Sequence, residues 1–367
     1  MVEWKKLGEV CTFRRGRTIT AKDAVEGSVP VIAGGQTPSY YHNEANRTGE
    51  SITIAGSGAY AGFVSYWNLP IFVSDAFTVE PSEVLLYKYV FQWLKMNQQR
   101  IFETQKGAGV PHVHGKDIAN FQIPIPSLSE QTRIVSILDT FTASIGNLKK
   151  QIAERRKQYE YERDQLLDLE GKEGVEMKKL GECVLFITDG DHQPPPKSSE
   201  GIPFVTISDI EKLSHTIDFS NTFFVPQEYY NSLKSDKKAK KGDVLYTVTG
   251  SFGIPVLIED NREFCFQRHI ALIRPNNTIA LSRYIYHWLC SNYAKKQGEE
   301  KASGGAQKTV SLNSLRSFRF YYPPLQAQSR IVSILDTFEA SIANLEAQLK
   351  LREKQYEYYR NQLLTFE

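Results

Sequence analysis

Two stretches of this 367-residue chain carry apolar residues at alternating steps of four and three. In the first they are Ile134, Leu138, Phe141, Ile145, Leu148, Ile152, Tyr159 and Leu166; in the second, Ile331, Leu335, Phe338, Ile342, Leu345, Leu349, Tyr356 and Leu363. Steps of this kind make a heptad seam along one side of a long helix. Arg155 and Arg352 interrupt the seam at equivalent places, and no proline breaks either stretch. The stretches are also copies of each other: residues 133–170 and 330–367 align without a gap at an offset of 197, with 26 identities in 38 positions. A helix of that length is a rod of roughly 57 Å. With its apolar stripe in water it would not be stable alone. The expectation is an antiparallel pair formed inside one chain, with a dimerisation coiled coil between two chains as the alternative.

The likeness extends upstream. "IPIPSLSEQ" (123–131) faces "FYYPPLQAQ" (320–328), and the prolines fix extended lead-ins, so helices are expected to start near Ser129 and Gln326. "WKKLGEVC" (4–11) resembles "MKKLGECV" (177–184) at an offset of 173, so the second interval is 24 residues longer (197 − 173). Between these anchors the halves differ. "SVPVIAGG" (28–35), "SITIAGSGAYAGFVSYW" (51–67) and "IFVSDAFTVEP" (71–81) read as strands, followed by a helix over 86–103. "GIPFVTISDI" (201–210), "GDVLYTVTGSFGIPVLIED" (242–260) and "FCFQRHIALIRP" (264–275) repeat that order ahead of a helix over 282–296. The predicted class is α+β. Two domains with irregular, mostly antiparallel sheets (1–128 and 171–325) alternate with two long helices (129–170 and 326–367) that pair as an intramolecular antiparallel coiled coil.

Charge and chemistry narrow the picture. Lys and Arg total 44 against 42 Asp and Glu, so any polyanion-binding surface must come from local arrangement. Cys11, Cys183, Cys265 and Cys290 form no CxxC pair and no zinc-ligand spacing with His, which leaves reduced thiols of a cytoplasmic protein as the expectation. No apolar run suits a signal peptide or a bilayer span. "GSGAYAG" (56–62) misses the dinucleotide-binding spacing and fits a Gly-rich hairpin, and no GxxxxGK[ST] motif is present. "DGDHQPPP" (189–196) reads as a shaped loop in preference to a metal or general-base site. His112 and His114 align with Thr309 and Ser311, so the two halves share no metal site there.

What remains is candidate polyanion contacts. Arg14, Arg15 and Arg17 in "FRRGRT" (13–18) could grip phosphate or guanine edges, or form a solvated loop. Lys237 and Lys238 lie in the Lys-dense "KSDKKAKKGD" (234–243), a solvated face or a phosphate rail. The pre-helix glycine segments (105–117 and 301–313) bring Lys106, His112, His114, Lys116, Gln307 and Lys308, as phosphate-facing loops or plain connectors. Thr18, Tyr60, Asp191, His192, Ser251 and Arg268 complete the candidate set.

The duplicated "IPIPSLSEQTRIVSILDTF" and "YYPPLQAQSRIVSILDTF", the "KLGE" openings and "FITDGDHQPPPKSSEGIPFVTISDI" resemble the specificity (S) subunits of type I restriction-modification systems, over essentially the whole chain. One departure is Ala327, where the first copy has Glu130. The resemblance implies a non-catalytic chain with two target recognition domains, each reading one half of an asymmetric, interrupted site on double-stranded DNA. The paired helices would fix the spacing and dock two modification (methyltransferase) subunits. S-adenosylmethionine would be bound by those partners, and ATP with Mg by restriction subunits that can join them. The competing readings are a specificity chain with a single bifunctional partner, and a non-enzymatic coiled-coil scaffold.

Overall fold

The computed structural model describes residues 2–366 apart from Gln193 and Ala306. The chain forms two units, Met1–Lys150 with Glu346–Glu367, and Gln151–Leu345. The architecture is α+β, as the pattern predicts, and two helices of 40 residues each, Leu128–Leu167 and Leu325–Leu364, are its longest elements.

The first unit is closed by its own ends. Glu3–Lys6 pairs antiparallel with Gln122–Ile125, just ahead of the first long helix. A four-stranded antiparallel sheet runs in the order Cys11–Arg15, Ala76–Pro81, Glu50–Ala55, Val64–Asn68. A three-stranded sheet places Val29–Ile32 between antiparallel Tyr40–His42 and parallel Phe72–Val73. The expected helix over 86–103 is two helices, Tyr87–Met96 and Gln98–Phe102, divided at Asn97, whose amide side chain donates to the Trp93 carbonyl at 2.9 Å. The 56–62 glycine segment joins two antiparallel strands of the larger sheet, a hairpin connection as its composition suggests.

The second unit repeats this plan. Glu176–Lys179 pairs with Arg319–Tyr322, and the four-stranded sheet is Val184–Asp189, Ile270–Pro275, Val244–Thr247, Pro255–Leu257. Its three-stranded sheet is Phe223–Val225, Ile202–Val205, Cys265–Phe266. Most of the extra length enters at two points. A hairpin of Ile210–Glu211 and Thr216–Ile217 extends 206–222 where the first unit has 33–39, and the helix Gln227–Ser232 lies in 226–243 where the first has 43–49. The helix expected over 282–296 is again two, Ser282–Cys290 and Asn292–Lys301; the Ser291 hydroxyl caps the second by accepting from the Ala294 amide.

Within each unit the start of one long helix packs against the end of the other. In the first, Ile134 and Leu138 share a core with Leu364, and Lys149 pairs with Glu353 at 3.0 Å. In the second, Ile331 and Leu335 share a core with Leu167, and Tyr159 meets Phe338. Partner numbers fall as helix numbers rise, so the pairing is antiparallel. Ile134, Leu138, Ile331 and Leu335 also lie in the cores of the globular domains, whereas Phe141, Ile145, Leu148, Phe338, Ile342, Leu345 and Leu349 are half-buried and Ile152 is buried. The two arginines that break the seam lie over its aromatics: Arg352 is 5.7 Å from the Phe141 ring and Arg155 5.8 Å from that of Phe338. Their cationic heads take a π-face there in place of an apolar neighbour.

Each long helix is anchored by a buried glutamine. Gln131 donates to the Val84 and Pro126 carbonyls and accepts from the Leu86 amide. Gln328 does the same with Ile279, Pro323 and Leu281. Three backbone groups that no regular element satisfies are thereby paired on each side. Beside Gln131, Glu130 pairs with Arg133 at 2.6 Å, a bond that Ala327 cannot make at the equivalent position.

Candidate nucleic-acid interface

In each unit four backbone segments converge at one end of the larger sheet. In the first they are the turn after Cys11–Arg15, the 74–75 turn, the 56–63 hairpin connection and the 105–114 glycine loop. The amides of Gly16 and Arg17 donate to the carbonyls of Ala76 and Val73, Gly56 donates to Asp75, and Gly58 donates to Pro111. A Cβ on Gly16 would stand 2.3 Å from the Ser74 carbonyl oxygen, so only glycine lets the turn lie this close. Lys106 and His112 exchange backbone hydrogen bonds across the glycine loop, and the Lys106 ammonium closes it on Asp117 at 2.8 Å. That hydrogen bond holds the Asp117 carboxyl below its ordinary value.

These segments enclose a cleft of about 280 Å³ whose polar lining is Arg15, Asp75, His112, His114 and Lys116. The imidazoles of His112 and His114 lie parallel, with centroids 6.5 Å apart. Asp75 accepts from the Ser57 hydroxyl. Arg14, Arg15, Arg17 and Thr18 are exposed. Arg14 lies 4.0 Å from Glu80, while Arg17 sits over the Phe72 ring at 5.1 Å and 3.9 Å from Glu44. Tyr60 is exposed on the hairpin connection.

The second unit builds the same end from different side chains. Gly190 and Asp191 donate to Ile270 and Phe266, Val248 donates to His269, and Gly250 donates to Lys308. A Cβ on Gly190 would meet the Phe266 carbonyl oxygen at 2.0 Å. Arg268, Gln307, Lys308 and Ser251 are exposed here, and so is His192. Burial, reinforced by Arg268 and His192, lowers the His269 pKa, so its imidazole is neutral at neutral pH. The turn at 189–192 is tied down: Lys237 donates to the Asp189 and Gly190 carbonyls, His192 lies 2.8 Å from the Asp189 carboxylate, and the Tyr229 hydroxyl donates to Asp191 at 2.6 Å. Lys237 is therefore half-buried and pins the turn. Lys238 reaches the Asn231 carbonyl at 3.2 Å and lies over the Tyr230 ring. Of the segments quoted from the sequence, Gln193 and Ala306 lie outside the described residues.

Sequence reasoning missed Ser57, Asp75, Asp189 and His269. It also treated "FRRGRT" and "DGDHQPPP" as unrelated. Strand register makes them the same place: Arg15 pairs with Phe77 and Asp189 with Ala271, while Ala76 and Ile270 face the equivalent residues Ala55 and Thr247. The equivalence is hidden by one residue, because a register shift between Val184 and Phe186 moves the offset from 173 to 174. A comparison of the strands after the two "KLGE" segments that allowed one bulge would have shown it.

Elsewhere, His287, Asp336 and Glu339 gather possible metal-ligand atoms within 4.8 Å of one another. The same carboxylates accept from the Arg283 guanidinium at 2.7 and 2.8 Å, and Tyr159 bonds both His287 and Glu339. A cation would have to displace a charge already paired, so the cluster is a structural network.

Comparison with known proteins agrees over the whole length. A profile of the type I restriction modification DNA specificity domain matches residues 1–155 and 172–352. The type I restriction enzyme EcoR124I/EcoR124II specificity subunit of Escherichia coli is 30% identical, with 100% of this chain and 94% of that protein covered. The crystal structure of a type I restriction-modification S subunit from M. genitalium superposes with a TM-score of 0.62 at 17% identity, covering 100% of this chain and 97% of that one. A second structure, from work on complex assembly and conformational transition of a type I system, gives 0.60 at 19% identity, covering 99% and 97%.

Proposed function

This chain belongs to the specificity subunits of type I restriction-modification systems, and we propose on that premise that each unit reads one half of an asymmetric, bipartite duplex DNA target. The observation that carries this reading is the contrast between frame and content. Closing strand pair, sheet order, glutamine anchor and glycine turn occur twice, whereas the exposed side chains they hold at the sheet end do not. A frame built twice suits two like partners. Unlike contents suit a target whose halves differ.

Recognition would work from the groove edges, with Arg, Lys and His side chains of the converging segments supplying donors, and with lysines along the glycine loops steadying the phosphates. The paired helices set the separation of the half-sites and offer near-duplicate surfaces to two modification subunits. Those partners bind S-adenosylmethionine and methylate adenine, restriction subunits bring ATP and Mg, and this chain contributes no bond-making group. Such work on DNA suits a protein of the cytoplasm. No described helix is long and apolar enough to cross a membrane.

Co-expression with the modification partner, followed by mapping of methylated adenines, tests the reading. The expected result is one bipartite motif with a fixed unspecified gap. Methylation without such a motif, or equal binding of random and target duplexes at moderate salt, would overturn it.

A further inference from the structure

The glycine turn that follows the first strand of each larger sheet occupies one backbone position in both units, yet its charge is inverted. In the first unit the residues are Arg15-Gly16-Arg17; in the second they are Asp189-Gly190-Asp191. The equivalence rests on register and on two conserved backbone bonds, from the glycine amide to Ala76 or Ile270 and from the next amide to Val73 or Phe266. Both glycines are also forced by the close approach of carbonyl oxygens. The backbone was kept to within a bulge while the side chains changed from donors only to acceptors only.

We infer that this turn is a specificity-determining element in each unit, reading base edges of opposite hydrogen-bonding polarity. This rests on the reading above and adds which residues discriminate and what edge each one takes. Arg15 and Arg17 are donors suited to an acceptor edge, above all guanine O6 and N7. Asp189 and Asp191 are acceptors suited to an amino edge, cytosine N4 or adenine N6. A carboxylate beside a phosphate backbone is repelled by it, so a pair of carboxylates facing DNA at this position suits base amino groups and not phosphates. The second unit holds them with local partners, of which the Lys237 ammonium offsets charge. Lys237 stands 3.5 Å from the Asp189 carboxylate, His192 2.8 Å from it, and Tyr229 donates to Asp191. A carboxylate has about four lone-pair sites, so Lys237 and His192 do not exhaust the acceptor capacity of Asp189.

The test is a selection. The full chain, co-purified with its modification partner, is mixed with duplexes carrying two randomised blocks, and the bound fraction is sequenced for wild type and for R15A, R17A, D189N and D191N. Each variant should flatten or switch preference at one or two base positions of a single half, by roughly 5- to 150-fold, the range expected for losing one good base contact. The arginine variants should lose a guanine-type preference in one half. The aspartate-to-asparagine variants should change the other half, toward adenine where asparagine can pair with both N6 and N7. The half left unchanged is each variant's internal control for folding. The inference is overturned if both halves keep their wild-type preferences. It is equally overturned if R15A and R17A weaken all sequences alike with a shallower salt dependence, because the arginines would then hold phosphate. A wild-type selection with no bipartite motif would instead sink the reading of function itself.

Discussion

The two units share one plan where they meet the long helices and disagree where the larger sheet ends. At the helix side, Lys88 pairs with Asp139 and Arg283 with Asp336, Gln131 and Gln328 make matching triple bonds, and Phe141 and Phe338 each lie beneath an arginine. At the sheet end, Arg15 faces the place of Asp189, Asp75 that of His269, and His112 that of Thr309. Glycine at 56 becomes Val248 and glycine at 115 becomes Leu312, so even the walls of the first unit's cleft change. The difference teaches where each constraint acts. Packing against a repeated helix fixes a surface through volume and buried hydrogen bonds, which tolerate little change. The exposed end of a sheet is fixed only in its backbone, so its side chains are free to answer to a ligand.

The largest effects should therefore come in matched pairs. Leu138 and Leu335 are both fully buried at the helix side of their domains. Leu138→Ala and Leu335→Ala should each destabilise their own unit by about 2–5 kcal/mol through lost burial and a residual cavity. Hydrogen exchange resolved by peptide is the suitable measurement, since two units need not unfold together. A large loss for one and a negligible loss for the other would break the claim that the frame is duplicated energetically as well as geometrically.

Gln131→Ala and Gln328→Ala come next. Each removes a side chain that satisfies two carbonyls and one amide, and would leave those backbone groups without their partner. A cost of about 1–3 kcal/mol is expected in each unit. Exchange should rise first at Leu86 and Leu281, the residues whose amides lose their acceptor. Protection unchanged at these two amides would show that water replaces the glutamine without penalty.

How much of this was legible beforehand follows from the same contrast. The long helices were visible because a heptad pattern is local, and 26 identities leave little room for misalignment. The order of strands was visible because turn residues punctuate it. Which side chains share a sheet end was not, because that depends on pairing between distant strands, such as Cys11–Arg15 with Ala76–Pro81. A single bulged residue near Val184 then hid the match between the two turns. The role of Lys237 was hidden for a related reason. Composition groups it with the other lysines of its loop, while the fold turns it inward onto the Asp189 and Gly190 carbonyls.

The smallest expected effect lies where the two frames differ in charge. Lys88 and Asp139 form a pair that is 39% exposed on both sides, so Lys88→Ala should cost no more than about 1 kcal/mol. Its counterpart Arg283 contacts Asp336, Glu339 and Glu259, and Asp336 also bonds the fully buried His287. Burial pushes the Asp336 carboxyl up, but hydrogen bonds from His287 and Arg283 outweigh it and hold the group below its ordinary value. A carboxylate depressed in this way adds stability that is fully present above the unfolded value, about 3.9, and fades as pH falls through the folded one. Acid titration followed by exchange should therefore show the second unit losing protection around Tyr284–Leu289 below about pH 4. Asp336→Asn should remove that pH-dependent component while lowering stability at neutral pH, and Asp139→Asn should do much less in the first unit. If Asp336→Asn left the acid profile of the second unit unchanged, the network around His287 would have no part in the difference between the two frames.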